Sequence, residues 1–181
     1  RCEDGRGEVR RRAAAGAVTA ILAGSEAVRA LTHDLSTLGT LDATVERGLQ
    51  AALSVAQAAG AMIAGRPGEQ VPGLVVLGAL GREARLYRVG DVLGERDPQV
   101  AIARGGDARA SADLEAGPEA APDPRRPRPR RHGAMVPMRF GSVVTGVLTV
   151  SGPDSDWAPP SPDTLLLLQA VADQVAAAVH H

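Results

Sequence analysis

Few residues in this chain are of a type and spacing that could do chemistry. His33 stands beside Asp34 in Leu31-Thr32-His33-Asp34-Leu35, near the end of an apolar-periodic stretch. A phosphate-accepting histidine there would need a second bundle helix and an ATP-binding domain with Asn- and Gly-rich boxes, and neither follows. The simpler reading is a surface histidine beside an aspartate near a helix C-terminus. His132 stands in a Pro/Arg-rich run, and His180-His181 close the chain; neither site is assigned a role. The only cysteine, Cys2, sits in a polar N-terminal arm, so an intrachain disulfide, a Cys-based zinc site and a redox pair are excluded. There is no nucleophile–base arrangement, no metal cluster and no Gly-x-x-x-x-Gly-Lys phosphate loop. The expectation is a protein that is not an enzyme and carries no cofactor and no metal.

The basic residues tell a similar story. All 20 are arginine, and the densest cluster is Arg125-Arg126-Pro127-Arg128-Pro129-Arg130-Arg131. It could hold phosphates, nucleic acid or lipid, or it could be a solvated, proline-stiffened loop in an arginine-biased chain. Aromatic residues are 2% of the total, too few to stack bases, and the net charge of −1 supplies no general attraction to polyanions. Nucleic acid and membrane are therefore not expected partners. No 18-residue apolar span and no signal peptide is visible, which makes the cytoplasm the expected location. The first residue is Arg rather than Met, as in a fragment or a processed chain.

The elements that must position these groups follow from periodicity. With 44% hydrophobic residues and only Tyr87, Phe140 and Trp157 as aromatics, the core must be Leu, Val and Ala. Ala17, Ile21, Gly24, Val28, Leu31 and Leu35 alternate spacings of four and three, an a/d seam on a helix from about residue 8 to 35. That seam suits either the chain's own domain or the same helix of a second copy. Thr40 as N-cap and Asp42 in the first turn open a second helix to about Ala58, stopped by Gly60. Residues 61–64 and 74–80 read as strands, and 84–89, alternating apolar and basic, as a strand with one wet face. Asp97-Pro98 starts a short helix, and 109–112 reads as an edge segment. From Ala116 to Gly133 the composition turns to Pro, Ala and Arg, a flexible loop. Strands at 134–140 and 143–150 then form a hairpin, and Ser161-Pro162-Asp163 opens the terminal helix. In that helix Leu166, Ala170 and Ala177 form a strip nearly opposite the main apolar face, so a second surface, either the first helix or a partner subunit, should cover it.

The order helix, strands, variable middle, hairpin, helix resembles a GAF domain, the small α/β sensory module of signalling proteins. The resemblance is carried by Thr40-Leu41-Asp42…Val45-Glu46-Arg47, Ala103-Arg104-Gly105-Gly106-Asp107…Asp113-Leu114, Val136-Pro137-Met138, Gly146-Val147-Leu148 and the closing run with Leu168, Ala172-Asp173-Gln174 and Ala176-Ala177-Ala178. It implies an α+β fold: a central antiparallel sheet of about five or six strands, terminal helices on one face and a variable loop and short-helix region over a ligand cavity on the other. Residues 1–37 then form an arm and a signalling or dimerisation helix, and 38–181 the GAF-like domain with its insertion at 116–133. No cysteine stands where a bilin could be tethered, the Asn-Lys…Phe…Asp-Glu pattern of cyclic-nucleotide-binding members is missing, and the several cysteines of the methionine-sulfoxide reductase members are absent.

The implied function is a non-catalytic regulatory or sensor module of a cytosolic signalling protein, working with an output domain or partner protein outside this chain. It would bind a small ligand, an anionic one suiting the arginines, dimerise through its terminal helices, or both; the alternative is a ligand-free interaction or dimerisation scaffold. Expected ligand-binding residues are Tyr87, Arg104, Arg109, Asp113, Met135 and Arg139. The expected homodimer interface comprises Ala17, Ile21, Gly24, Val28, Leu31, Leu35, Leu166, Ala170 and Ala177.

Overall fold

The computed structural model describes residues 4–35, 40–66, 73–111, 114, 132–153 and 157–180, with backbone only at 4–14, 17 and 20. The loop expected at 116–133 lies outside the described residues apart from His132 and Gly133, as do Cys2, Asp113 and His181. Four helices, α1 (Asp4–Leu35), α2 (Leu41–Ala56), α3 (Pro98–Gly105) and α4 (Pro162–His180), combine with six strands. The strands are β1 (Gly60–Gly65), β2 (Leu74–Gly81), β3 (Val92–Leu93), β4 (Arg109–Ser111), β5 (Gly133–Phe140) and β6 (Val143–Ser151). They form one antiparallel sheet in the order β3-β2-β1-β6-β5-β4, the mixed α+β architecture expected of the sequence.

Local chemistry sets the helix boundaries. The Thr40 side chain accepts from the Ala43 N–H at 3.3 Å, Asp97 from Gln99 at 2.9 Å, and Ser161 from Thr164 at 3.2 Å, each satisfying a donor that has no partner inside its helix. α2 stops two residues short of the expected Ala58. Gln57 adopts the left-handed conformation (φ 47°) and donates back to the last turn, while Gly60 belongs to β1. Gly60 is needed there for space, because a Cβ would lie 2.8 Å from Glu83 N and 2.9 Å from Ser151 Oγ.

The expected strand at 84–89 does not form. Glu83–Arg85 is a 3-10 turn, and β2 ends at Gly81. The cause is tertiary: fully buried Glu83 accepts a hydrogen bond from Ser151 Oγ at 2.5 Å, pulling the chain across the end of β1 and β6. The sheet edge is closed instead by the two-residue β3, which pairs through Leu74↔Leu93 and Val75↔Val92. Both edge strands are short, which limits edge-to-edge association.

The sheet separates two apolar clusters. On the near face Ala61, Ile63, Ala134, Val136, Met138, Leu148 and Val150 meet Val45, Leu49 and Ala52 of α2 and Leu168, Val171, Ala172 and Val175 of α4. On the far face Met62, Ala64, Leu74, Val76, Met135 and Val147 meet Val100 and Ala103 of α3. This is strand alternation with both sides buried. A register shift between Ile63 and Ala64 passes over Leu77, so Val76 faces the far cluster while Gly78 faces α2, where a Cβ would meet Val45 at 2.5 Å.

The three long helices are aligned. Gly24 of α1 lies against Leu167 of α4 and Val55 of α2, Asp34 of α1 pairs with Arg47 of α2 at 3.5 Å, and Gly48 of α2 lies against Val175 of α4. These positions make α1 parallel to α4, with α2 antiparallel to both. From Gly24 back to Asp4 α1 runs a further 20 residues or ~30 Å, while α4 extends only ~7 Å beyond Leu167. α1 therefore projects past the domain.

Candidate functional site

The far face, roofed by α3, is where a ligand cavity was expected, and its described strand residues are closely covered. Met62, Val76 and Val147 are fully buried there, and Met135 nearly so. α3 is tied down along its length. At its start Thr149 Oγ1 of β6 donates to Gln99 Oε1 at 3.0 Å, both residues being buried. At its end Arg66 Nη2 donates to Ala103 O at 3.1 Å, and Arg139 donates to Gly106 O. A buried amide–hydroxyl pair in an apolar layer fixes the register of helix on strand, because separating the two leaves each unsatisfied.

At the β4 edge the far face is indented. Arg109, Ser111, Leu114 and Met135 line a shallow recess of about 160 Å³ that is open to solvent. Arg109 and Met135 are cross-strand partners in the β4–β5 pairing, so topology brings together two of the six residues expected at a ligand site. Tyr87 packs against the same far-face cluster from the opposite edge of the sheet. Arg104 faces solvent and pairs with Glu95 at 2.8 Å, both side chains more than half exposed. Arg139 is half-buried with its guanidinium on the Gly106 carbonyl.

The Arg104–Glu95 pair is too exposed to matter to the fold. Arg104→Ala should shift the urea unfolding free energy by less than about 0.5 kcal/mol.

The residues of the expected dimer interface divide into two groups. Leu31 is 3% exposed, Gly24 is buried, and Val28 and Leu35 pack on the near-face core, so the domain itself covers this part of the seam. Ile21 is 40% exposed and Leu166 71%, while Ala170 and Ala177 are half-buried. The side chain of Ala17 lies outside the described residues. Val18 and Leu22, neither of them singled out in the sequence, are exposed beside Ile21 at i, i+3 and i+4 spacing. Glu83, Gln99, Thr149 and Ser151, also missed, are buried polar residues, and only their place in the topology reveals them. Gln169 and Asp173, four residues apart on α4, reach the edge of β5, a target set by the topology.

Among the described residues no group of three or more His, Cys, Asp or Glu side chains is placed to hold a metal ion, and no helix is long and apolar enough to cross a membrane.

This arrangement is an α+β fold with a six-stranded antiparallel sheet, long helices on one face and a short helix on the other. The GAF domain family model matches residues 40–179, and the chain belongs to that family. No protein with a curated description matches the sequence significantly. Among solved structures, the fold is similar to that of the GAF domain from a phosphoenolpyruvate-protein phosphotransferase of Coxiella burnetii (TM-score 0.69, 13% identity, covering 89% of this chain and 95% of that one). It is also similar to the GAF-B domain of DevS from Mycobacterium smegmatis (0.62, 19%, 78% and 93%). A third similar structure is the free methionine-R-sulfoxide reductase of Neisseria meningitidis in complex with its substrate (0.68, 12%, 88% and 90%).

Proposed function

We propose that this chain is a non-catalytic, cytoplasmic regulatory module that works as a homodimer and passes changes along its terminal helices to an output domain or partner protein. The observation that carries this reading is the double character of α1. Toward its C-terminus it is part of the near-face core through Leu31, and near its middle Val18, Ile21 and Leu22 are exposed at 57%, 40% and 61%. A helix that is seated at one end and carries exposed apolar residues near its middle is suited to pair with its own copy, because the same stripe then covers itself across a two-fold axis. α1 and α4 run parallel, so a shift of one against the other would be felt at opposite ends of the domain. Leu166, Ala170 and Ala177 extend the proposed interface onto α4.

The non-catalytic reading is supported by the use of buried polar groups. Thr149–Gln99 and Ser151–Glu83 bind each other inside the fold. The burial of Met62, Val76 and Val147 on the far face supports the ligand-free form of this module, a dimerisation scaffold, over a small-molecule sensor. In a sensor form, Arg109 at the recess would meet an anionic ligand.

Mass by light scattering tests the reading. The intact chain should be a dimer, and Ile21→Glu with Leu22→Glu should give a folded monomer, the charges being unable to enter an apolar seam. A wild-type monomer, or a dimer that survives both charges, would sink the α1 interface. A reproducible thermal shift with small anionic metabolites would replace the scaffold form by the sensor form.

A further inference from the structure

Arg139 of β5 reaches elements on both faces of the sheet. In a strand the N–H lies in the plane of the sheet and the side chain stands roughly perpendicular to it. β4 pairs with β5 only from Gly133 to Met135, so beyond Met135 no strand among the described residues lies beside the outer edge of β5. Two side chains of α4 take that edge instead. Gln169 Nε2 donates to Pro137 O at 2.7 Å, and Asp173 Oδ1 accepts from the Arg139 N–H at 3.1 Å. Gln169 also donates to Asp173 Oδ1 at 2.7 Å, fixing the carboxylate.

The Arg139 guanidinium goes the other way. It donates to the carbonyl of Gly106, the left-handed C-cap of α3 (φ 78°), whose own N–H bonds Ile102 O at 2.9 Å. A β-bulge lies at this point: Met138 pairs with Gly146 and Arg139 with Val144, passing over Thr145. Bulges bend a strand and re-aim its side chains. One residue thus holds the end of α3 with its side chain and the middle of α4 with its backbone.

We infer that Arg139 is the positioning residue that couples α3 to α4, so that displacement of the α3 C-terminal turn reaches α4, and displacement of α4 reaches α3. The start of α3 is anchored in the buried layer by Gln99 on Thr149, whereas its end, where Arg104 and Gly105 are exposed, is held by the side chains of Arg66 and Arg139. This coupling gives the regulatory reading above a route from one face of the sheet to the other, and it rests on that reading for its purpose. Coupling of this kind must act equally in both directions.

Native-state hydrogen exchange of the full chain reads it directly. Asp173→Ala, a change in α4, should speed exchange of the Gly106 amide across the sheet by about fivefold or more, the lower end of measured couplings between sites. Arg139→Ala should do the same to Gly106 and also to α4 amides beyond Asp173. Asp173→Asn, which keeps the acceptor oxygen, should leave Gly106 within about twofold of wild type, as should Arg104→Ala. Changes confined to the mutated element overturn the inference. So does a uniform acceleration that includes the β1 amides of Met62 and Ile63, since that is loss of stability alone. If an alanine variant does not fold, Gln169→Ala, which removes the bond to Pro137 O and loosens the Asp173 carboxylate, gives the same readout. A monomeric wild type would remove the dimer reading and leave this coupling standing, whereas purely local effects would remove the coupling and leave the dimer.

Discussion

Gly146→Val should lower the stability of the fold by about 3 kcal/mol or more, the upper end of the cost of overpacking. A Cβ at this position would lie 2.4 Å from the carbonyl oxygen of Ala64 and 3.1 Å from Gly65 Cα. Both are backbone atoms of β1, the central partner of β6, and Gly65↔Gly146 is a cross-strand pair. A flexible side chain could move aside; a ladder carbonyl cannot without breaking sheet hydrogen bonds. A domain of this size loses about 2–4 °C of Tm per kcal/mol, so the midpoint should fall by roughly 6–12 °C. Gly16→Ala is the control. Its Cβ would meet nothing within 4 Å, and alanine is the better helix former by about 0.5–1 kcal/mol. Calorimetry showing both substitutions within 2 °C of wild type, a margin well under the ~6 °C expected, would mean that β1 and β6 do not approach as described.

The sequence made Gly146 stand out because a glycine inside a Val/Leu/Thr strand has to have a reason in space. The same kind of local signal located Thr40, Asp97-Pro98 and Ser161-Pro162, since a cap is decided by residues within four positions of it. Residues 84–89 show where such signals end. Their alternation is a sound strand pattern, but Glu83 is held by Ser151, 68 residues away, and no local propensity anticipates that bond. Leu77 is a second case: a bulge switches the face of β2 midway, so period-two reasoning assigns half of the strand to the wrong side.

The candidate site was less legible than the fold for a physical reason. Arg104, Arg109 and Arg139 are equivalent as residue types, yet one pairs with Glu95 in solvent, one lines the recess at the sheet edge, and one bridges β5 to α3. What separates them is strand register and the position of α3, both set by long-range pairing. Gln99 and Thr149 were invisible for the same reason, since each is ordinary in its own segment and significant only opposite the other. The a/d seam of α1 was legible as a stripe, but a stripe has no label for its partner. The structure gives Gly24, Leu31 and Leu35 to the domain and leaves Ile21 exposed.

Leu31→Ala should cost about 2–5 kcal/mol, the range for a buried leucine truncated to alanine. Leu31 is 3% exposed in the near-face cluster, although it lies nine residues before the family match begins at residue 40. Two pictures of α1 differ here. If it is an appended helix, the truncation loosens α1 and the sheet unfolds at its original urea midpoint. If α1 is part of the core, helix and sheet lose stability together in one transition, with the midpoint reduced and the slope unchanged. Its contacts favour the second: Val28 and Leu35 pack on the same cluster, Gly24 accommodates Leu167 of α4, and Asp34 reaches Arg47 of α2. Leu22→Ala, at a 61% exposed position, removes the same atoms from a surface site and should change monomer stability by less than about 0.5 kcal/mol. Under the dimer proposal it weakens association instead. The pair of variants therefore separates the two halves of α1, one acting through the core and the other through a second copy. A helix can pass movement from one to the other only if the seated half is stable enough to resist being pried out, which the Leu31→Ala measurement quantifies.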